Sequence, residues 1–188
     1  MKNLLSFAFL STVLVTVFSL NLHAQEYTYK NLLEEPAVFT LKHGFVYHCS
    51  DKEAVPFTLP EAAVGFFYEF TVLPTKEEMN EEPELLSKLS SAKNGTPLKD
   101  IPFTLESNGS AKVVNTYIIA DWQNIHKFEH CEYQKYPLGG DTKVDSQISY
   151  FENPGEENLF IGFECPYGRS SKMQLKVEVV AVFEHSAN

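Results

Sequence analysis

A strictly alternating stretch near the C-terminus constrains the fold of this chain more than any other segment. From Met173 to Phe183, the odd-numbered positions are apolar, and Gln174, Lys176 and Glu178 lie between them. A period of two places these two sets on opposite faces of an extended strand, one of them buried. Residues 158–184 also contain a shorter apolar run before Pro166 and therefore predict a long antiparallel hairpin that the rest of the chain covers.

The polar face of the alternating strand becomes apolar towards its end, at Val180 and Val182. An apolar side chain on both faces indicates that both are removed from water. We therefore expect a further strand, a small helix or a partner to cover this part of the strand.

Earlier parts of the chain contain further short apolar runs, separated by Gly, Pro and Asn turn signals. The predicted strands are 37–41, 45–49, 55–59, 64–73, 101–105, 113–120 and 146–151. The run Val64–Leu73 carries apolar side chains on both faces and predicts a central strand. About nine short strands predict an all-β fold, an antiparallel β-sandwich of jelly-roll-like type, with one or two short helices in its loops.

Two segments have helical rather than strand character. Residues 84–93 place Leu85, Leu86 and Leu89 on a narrow apolar stripe, which predicts a short helix docked on the sandwich. Asp121 follows a strand and is a suitable N-cap for a helical turn that begins at Trp122.

The chain has 188 residues, and its N-terminus resembles a secretory signal. Lys2 precedes an uncharged apolar stretch, and Ala24 is a small residue before the polar sequence. We predict a signal peptide at 1–24, a polar leader at 25–36 and a single β-sandwich domain at 37–188. The alternative is an uncleaved membrane anchor. Cleavage would give an exported protein, periplasmic or extracellular, with no integral membrane segment.

The formal net charge of −10 limits the partners of this chain. An acidic surface repels phosphate backbones, so we expect no nucleic acid partner. The three cysteines Cys49, Cys131 and Cys165 are disulfide candidates in an oxidising compartment. One disulfide with one remaining thiol is the simplest expectation, and the three possible pairings stay open.

Four segments together resemble uncharacterised small secreted bacterial β-sandwich proteins. They are VPFTLPEAAVGFFYEF from Val55, VVNTYIIADWQNIHKF from Val113, ENLFIGFECP from Glu157 and MQLKVEVVAVF from Met173. The last two are distantly similar to the closing strands of pre-peptidase C-terminal domains. This resemblance implies a jelly-roll-like sandwich that acts as an accessory or interaction module, and it transfers no functional residues.

The densest polar cluster contains His126, His130 and Cys131. If this segment is helical, the two histidines share one face, and imidazole and thiolate groups are ligands for zinc or copper. The alternative is a solvated helix end with the cysteine in a disulfide.

Two places have the composition of a ligand contact. Trp122 and Asn124 combine an aromatic ring with an amide, a mixture that stacks on and hydrogen-bonds a sugar. The alternative for Trp122 is a core or interface plug at a strand-to-helix corner. Tyr167 and Arg169 lie in the predicted hairpin loop and are residue types favoured at interfaces. The alternative for this loop is an ordinary turn.

The sequence contains no convincing catalytic signature, and it predicts neither an enzyme nor a cofactor. We predict a non-enzymatic exported binding module that recognises a protein partner or a surface glycan through its loops. One alternative is an exported metal-binding protein that uses the His126, His130 and Cys131 cluster. Another is a structural, envelope-associated protein with no discrete ligand.

Overall fold

A computed structural model describes residues 26–41, 51–73, 83–92, 98–101, 113–130, 137–165 and 173–185. Within these ranges the chain forms eight strands, two α-helices and one 3₁₀-helix. The strands are β1 (Glu26–Asn31), β2 (Ala37–Leu41), β3 (Lys52–Thr58), β4 (Gly65–Leu73), β5 (Asn115–Ala120), β6 (Ser146–Glu152), β7 (Asn158–Glu164) and β8 (Met173–His185). The helices are α1 (Leu85–Ser90), the 3₁₀-helix Leu98–Asp100 and α2 (Trp122–Glu129).

The strands form two antiparallel sheets, which confirms the predicted all-β sandwich class. Sheet A has five strands in the order β1-β8-β4-β6, and β2 also pairs with β8. Sheet B has three strands in the order β3-β7-β5. The predicted central position of β4 is confirmed, because it lies between β8 and β6 and is buried along most of its length.

The predicted hairpin between β7 and β8 is wrong, because the two strands belong to different sheets. The pairing partners explain why. β7 has β3 on one side and β5 on the other, so neither edge is open. β8 pairs with β4 on one edge, and β1 and β2 lie end to end along the other. The alternation that predicted β8 as a strand therefore did not identify its neighbours.

The interpretation of residues 25–36 as a polar leader also requires correction. Glu26–Asn31 forms β1 and pairs in register with Val180–His185 of β8. Tyr27, Tyr29 and Asn31 are half-buried, and the residues between them are exposed. This alternation is the pattern of an edge strand with one wet face, and its many polar residues made it resemble an unstructured leader.

The main core lies between the two sheets. Phe66 of sheet A meets Phe57 of sheet B edge-on, with 4.9 Å between ring centroids. Phe70 of sheet A contacts Phe163 of sheet B in the same manner, with 5.4 Å between ring centroids. Such tilted aromatic pairs across the sandwich fix how the sheets pack together.

The short helix α1 covers the outer face of sheet A, as the sequence predicted. Leu85 and Leu89 are buried against Phe67, Val180 and Val182. The apolar break in the polar face of β8 is therefore explained by this helix. It ends at Ser90, before the predicted Lys93, which lies outside the described residues.

Several predictions concern residues outside the described ranges. They include the signal peptide at 1–24, the whole of the predicted strand 45–49 and residues 102–105 of the predicted strand 101–105. Within the ranges that the structure covers, no helix has the length and apolar character needed to cross a membrane.

Candidate functional site

Helix α2 lies on the outer face of sheet B and carries the main candidate site. Ile125 and Phe128 of α2 are buried against Ile119 of β5 and Phe160 of β7. Gly162 makes this close approach possible, because a Cβ atom there would lie 2.9 Å from Cζ of Phe128. A glycine in a strand interior often marks such a close approach.

The C-terminal end of α2 is held by a buried lysine of β3. The Lys52 ammonium donates a hydrogen bond of 3.0 Å to the carbonyl oxygen of Phe128. It also pairs with a Glu164 carboxylate oxygen at 3.3 Å, and its side chain is only 4% exposed. A cation on the last carbonyls of a helix is favourable both as a donor and through the helix dipole.

The N-terminal end of α2 is set by Asp121, which confirms the predicted N-cap. One Asp121 carboxylate oxygen accepts a 2.8 Å hydrogen bond from the Asn124 backbone N–H. The Asp121 backbone has φ 64° and ψ 157°, a region that residues other than glycine seldom occupy. This strained turn directs the chain from β5 into the helix and places Trp122 at its first position.

Trp122 is 66% exposed, so the alternative of a plug in the core is wrong, whereas the alternative of an interface plug stays a prediction. Its indole ring contacts Phe160 edge-on, with 4.8 Å between the ring centroids. The ring is thus supported on one side and open to solvent over most of its area. Among the described residues, the other exposed large hydrophobic side chains are Val38 and Leu138, which are less exposed, at 37% and 44%.

Asn124, the second predicted contact residue, is half-buried and directed towards the turn. Its amide nitrogen donates to the Ala120 carbonyl oxygen at 3.2 Å and to the second Asp121 carboxylate oxygen at 2.9 Å. These bonds stabilise the strained corner. The amide nitrogen of Asn124 is therefore used to hold the corner that precedes Trp122.

The two histidines of the predicted metal cluster are neighbours on α2. Their rings stack with centroids 4.0 Å apart and 15° between the planes. Nδ1 of His130 is 2.9 Å from the His126 carbonyl oxygen, which requires the proton on that nitrogen. Ring nitrogens in nearly parallel planes do not converge on one point, and no group of three metal-ligating side chains occurs in the described part of the chain. Cys131 lies outside that part, so the three-residue metal site stays a prediction.

The remaining predicted site residues are mostly beyond the described ranges. Tyr167 and Arg169 are not covered, nor is Cys49. Cys165 is buried in the main core, and its backbone N–H donates to the Asp51 carbonyl oxygen at 3.2 Å. The disulfide pairing therefore stays a prediction.

The sequence did not reveal a buried pair of glutamates beneath α1. Glu69 of β4 and Glu178 of β8 are direct cross-strand partners, 8% and 6% exposed. One Glu178 oxygen accepts the backbone N–H groups of Glu84 and Leu85 at 2.9 and 2.8 Å, and the other lies 3.1 Å from the Lys176 ammonium. Glu178 thus caps α1 from another element. In the sequence, Glu178 lies on the polar face of the alternating strand, so it was interpreted as solvated and its capping of α1 was not predicted.

Glu69 is less well satisfied than its neighbour. One carboxylate oxygen is 2.6 Å from the Lys88 ammonium, whereas the other is buried and has no hydrogen-bond partner in the described structure. Burial raises the pKa of Glu69, although Lys88 opposes that shift, and Glu178 and Glu84 add to it. Partial burial lowers the pKa of Lys88, but Glu69 and Glu84 outweigh it and raise that pKa overall. The Lys88 side chain is 39% exposed, whereas Glu69 is buried. The pH dependence that this pair gives to stability in the acidic range therefore comes mainly from Glu69.

We expect Glu69→Gln to stabilise the fold more at neutral pH than in acid. A raised pKa means that the protonated Glu69 is favoured in the folded state, so its contribution to stability is present below its ordinary pKa and is lost as the pH rises through the folded-state value. Between about pH 4 and about pH 7, the free energy of unfolding of the variant should therefore increase relative to that of the wild type. Urea unfolding at both values measures it.

The exposed Glu53 provides a matched control, because Glu53→Gln also removes one negative charge but does not replace a buried carboxylate. Its effect should be small and nearly the same at both pH values. An equal shift in both variants, or no shift in Glu69→Gln, would contradict the assignment of this pH dependence to burial.

Comparisons with known proteins do not identify this chain: no family model matches it, and neither does any curated protein. The resemblance to pre-peptidase C-terminal domains therefore stays a prediction.

Proposed function

We propose that this protein is an exported, non-enzymatic binding module that recognises a surface glycan through the Trp122 surface. We define this surface as Trp122 with the exposed residues Asp121, Gln123 and Asn158. Asn158 is adjacent to the turn, because its carbonyl oxygen accepts the Asp121 backbone N–H at 3.3 Å. Export rests on the signal-like pattern of residues 1–24.

The exposure of Trp122 is the observation that supports this proposal most directly. Exposing a large aromatic side chain forgoes a favourable burial, and the local backbone strain at Asp121 adds a further cost. The neighbouring capping bonds and the Phe160 contact nevertheless hold the ring at the surface. A fixed aromatic ring lowers the entropy cost of binding, because little freedom is left to lose.

The polar surroundings of Trp122 favour a sugar as the ligand. Asp121 and Gln123 flank Trp122 in the chain, and Asn158 is hydrogen-bonded to the same turn, so their exposed carboxylate and amide groups add acceptors and donors to this surface. A sugar presents C–H groups on its ring face and hydroxyls at its rim, which matches this arrangement. The net charge of −10 also favours a ligand without phosphate groups.

We expect Trp122→Ala to weaken glycan binding by about tenfold or more, the effect of losing a central aromatic contact. The fold should be retained, because exposed substitutions usually change stability by less than about 0.5 kcal/mol and only the edge contact with Phe160 is lost. A glycan array followed by calorimetry of the retained glycan measures the change, with thermal unfolding run in parallel.

Val38→Ala is the matched control, since it removes another exposed apolar side chain from the opposite sheet. It should leave binding unchanged. Glycan binding that survives Trp122→Ala would contradict the proposal. If the protein instead captures a protein partner and Trp122→Ala abolishes that capture, the Trp122 surface would remain the binding site, but its ligand would be a protein and not a glycan.

A further inference from the structure

A second surface lies on the outer face of sheet A, away from Trp122 and independent of the function proposed above. It is an open cleft of about 580 Å³ between β1, β6 and the 3₁₀-helix. We call it the tyrosine cleft and define it by Tyr27, Lys99, Asp100, Tyr150, Glu152 and Glu184. Its volume falls within the range of small-molecule sites.

Gly65 allows the ring of Tyr150 to lie over the sheet. A Cβ atom at Gly65 would be 2.7 Å from Cε2 of Tyr150 and 2.5 Å from its hydroxyl oxygen. That hydroxyl donates a 3.3 Å hydrogen bond to the Val64 carbonyl oxygen, and the ring packs on Phe67 at 5.1 Å. The ring is therefore held in place on its inner side, and its accessible part lines the cleft.

Tyr27 faces this cleft from the neighbouring edge strand. It is the cross-strand partner of Glu184, so the carboxylate of that residue lies beside the tyrosine ring. Burial, followed by Glu152, Tyr27 and Glu184, raises the pKa of Tyr150 to about 12. The same carboxylates that oppose a phenolate would attract a positive charge.

The charges of the cleft are predominantly negative. Lys99 pairs with Glu152 at 2.6 Å at the exposed rim, and Asp100 and Glu184 add two further carboxylates. Aromatic rings with neighbouring carboxylates form the usual environment for an ammonium group, because ring faces and carboxylates both present negative potential.

We propose that the tyrosine cleft binds a small organic cation with an ammonium or guanidinium group. The cation contacts the rings of Tyr27 and Tyr150, and Glu184 and Asp100 balance its charge. A second cleft of about 600 Å³ serves as a comparison: it is lined by Glu61, Glu156 and Glu157, and none of its described lining residues is aromatic. Acidic charge is common to both clefts, so the tyrosines distinguish the proposed site.

The test is a titration of the isotope-labelled full protein, followed by NMR, with choline, with arginine amide and with uncharged glucose. Choline or arginine amide should shift resonances of Tyr27 and Tyr150, and glucose should not. A choline response alone assigns a free quaternary ammonium, whereas a stronger arginine amide response assigns the side chain of a basic peptide. Raising the salt concentration should weaken binding, because exposed charges are screened.

Tyr27→Leu and Glu184→Gln should each weaken binding by about two- to fivefold, the value of one cation–π or exposed charge contact. Glu156→Gln, in the second cleft, should have no effect. The proposal is overturned if glucose shifts the same tyrosines equally, if no cation shifts them, or if both cleft variants bind like the wild type. The titration of unaltered protein keeps the test valid should a variant fold poorly.

Discussion

Glu178→Ala is expected to lower the free energy of unfolding by about 3–5 kcal/mol, the cost of breaking a buried charge network by removing one partner. Glu178 is 6% exposed and accepts two backbone N–H groups at the start of α1 while it pairs with Lys176. Its removal leaves those two donors without this acceptor and takes a carboxylate away from the largely buried Lys176 ammonium. Urea unfolding measures the loss, and hydrogen exchange should show that protection is lost first in α1.

Glu178→Gln is the matched variant, since it keeps an acceptor oxygen and the side-chain length but removes the charge. It should cost less than the alanine variant, because the N–H groups of Glu84 and Leu85 keep an acceptor and the repulsion between Glu178 and Glu69 is removed. Equal losses in both variants would show that charge, rather than capping, is the main contribution. Unchanged stability in Glu178→Ala would refute the role of this residue in holding α1.

Phe66→Ala should destabilise the fold by about 3–5 kcal/mol, the usual cost of a phenylalanine-sized cavity in a core. The Phe66 side chain is fully buried and contacts Phe57 in the opposite sheet at 4.9 Å and Phe151 in the neighbouring strand at 5.6 Å. The lost ring would leave a void between the sheets, which close packing cannot fill without strain. Thermal and urea unfolding measure the change.

Phe66→Leu should cost less, because most of the apolar volume remains. Thr58→Ala, at an exposed position of the opposite sheet, should fall within about 0.5 kcal/mol of the wild type. A loss below about 1 kcal/mol in Phe66→Ala would contradict the close packing of the two sheets at this point.

Local sequence patterns predicted the elements well. The alternation in β8, the doubly apolar run of β4 and the leucine stripe of α1 each reflect a burial pattern that a single element imposes on its own residues. The Asp121 cap is likewise a contact between residues three apart, so it could be predicted from the chain alone.

Pairing between elements was not predictable in the same way. Alternation states which side chains of β8 face the core but not which strands border it, so the adjacent β7 was wrongly chosen as its partner. The edge strand β1 was missed because only one of its faces is covered, and that face is made of tyrosines and an asparagine. An edge strand needs few apolar residues, which leaves a weak signal.

The candidate sites differ in the same way: those built from neighbouring residues could be predicted from the sequence, and those built from distant residues could not. Trp122 and its corner were found from the sequence because strand, cap and aromatic residue are consecutive, although only the structure established that the ring is exposed. The tyrosine cleft joins residues 27, 99 and 150, and the glutamate pair joins residues 69 and 178. Such groupings depend on strand order, and strand order is decided by the competition of all strands for the same edges.

The sequence by itself determined that this protein is an antiparallel β-sandwich with one or two short helices in its loops, because each element carries its burial pattern within a few neighbouring residues. Only the tertiary structure decided that β7 and β8 separate into different sheets, that Glu178 caps a distant helix and that Tyr27 and Tyr150 line one cleft. The physical reason is that these contacts join residues far apart in the chain, whose encounter depends on the packing of the whole sandwich.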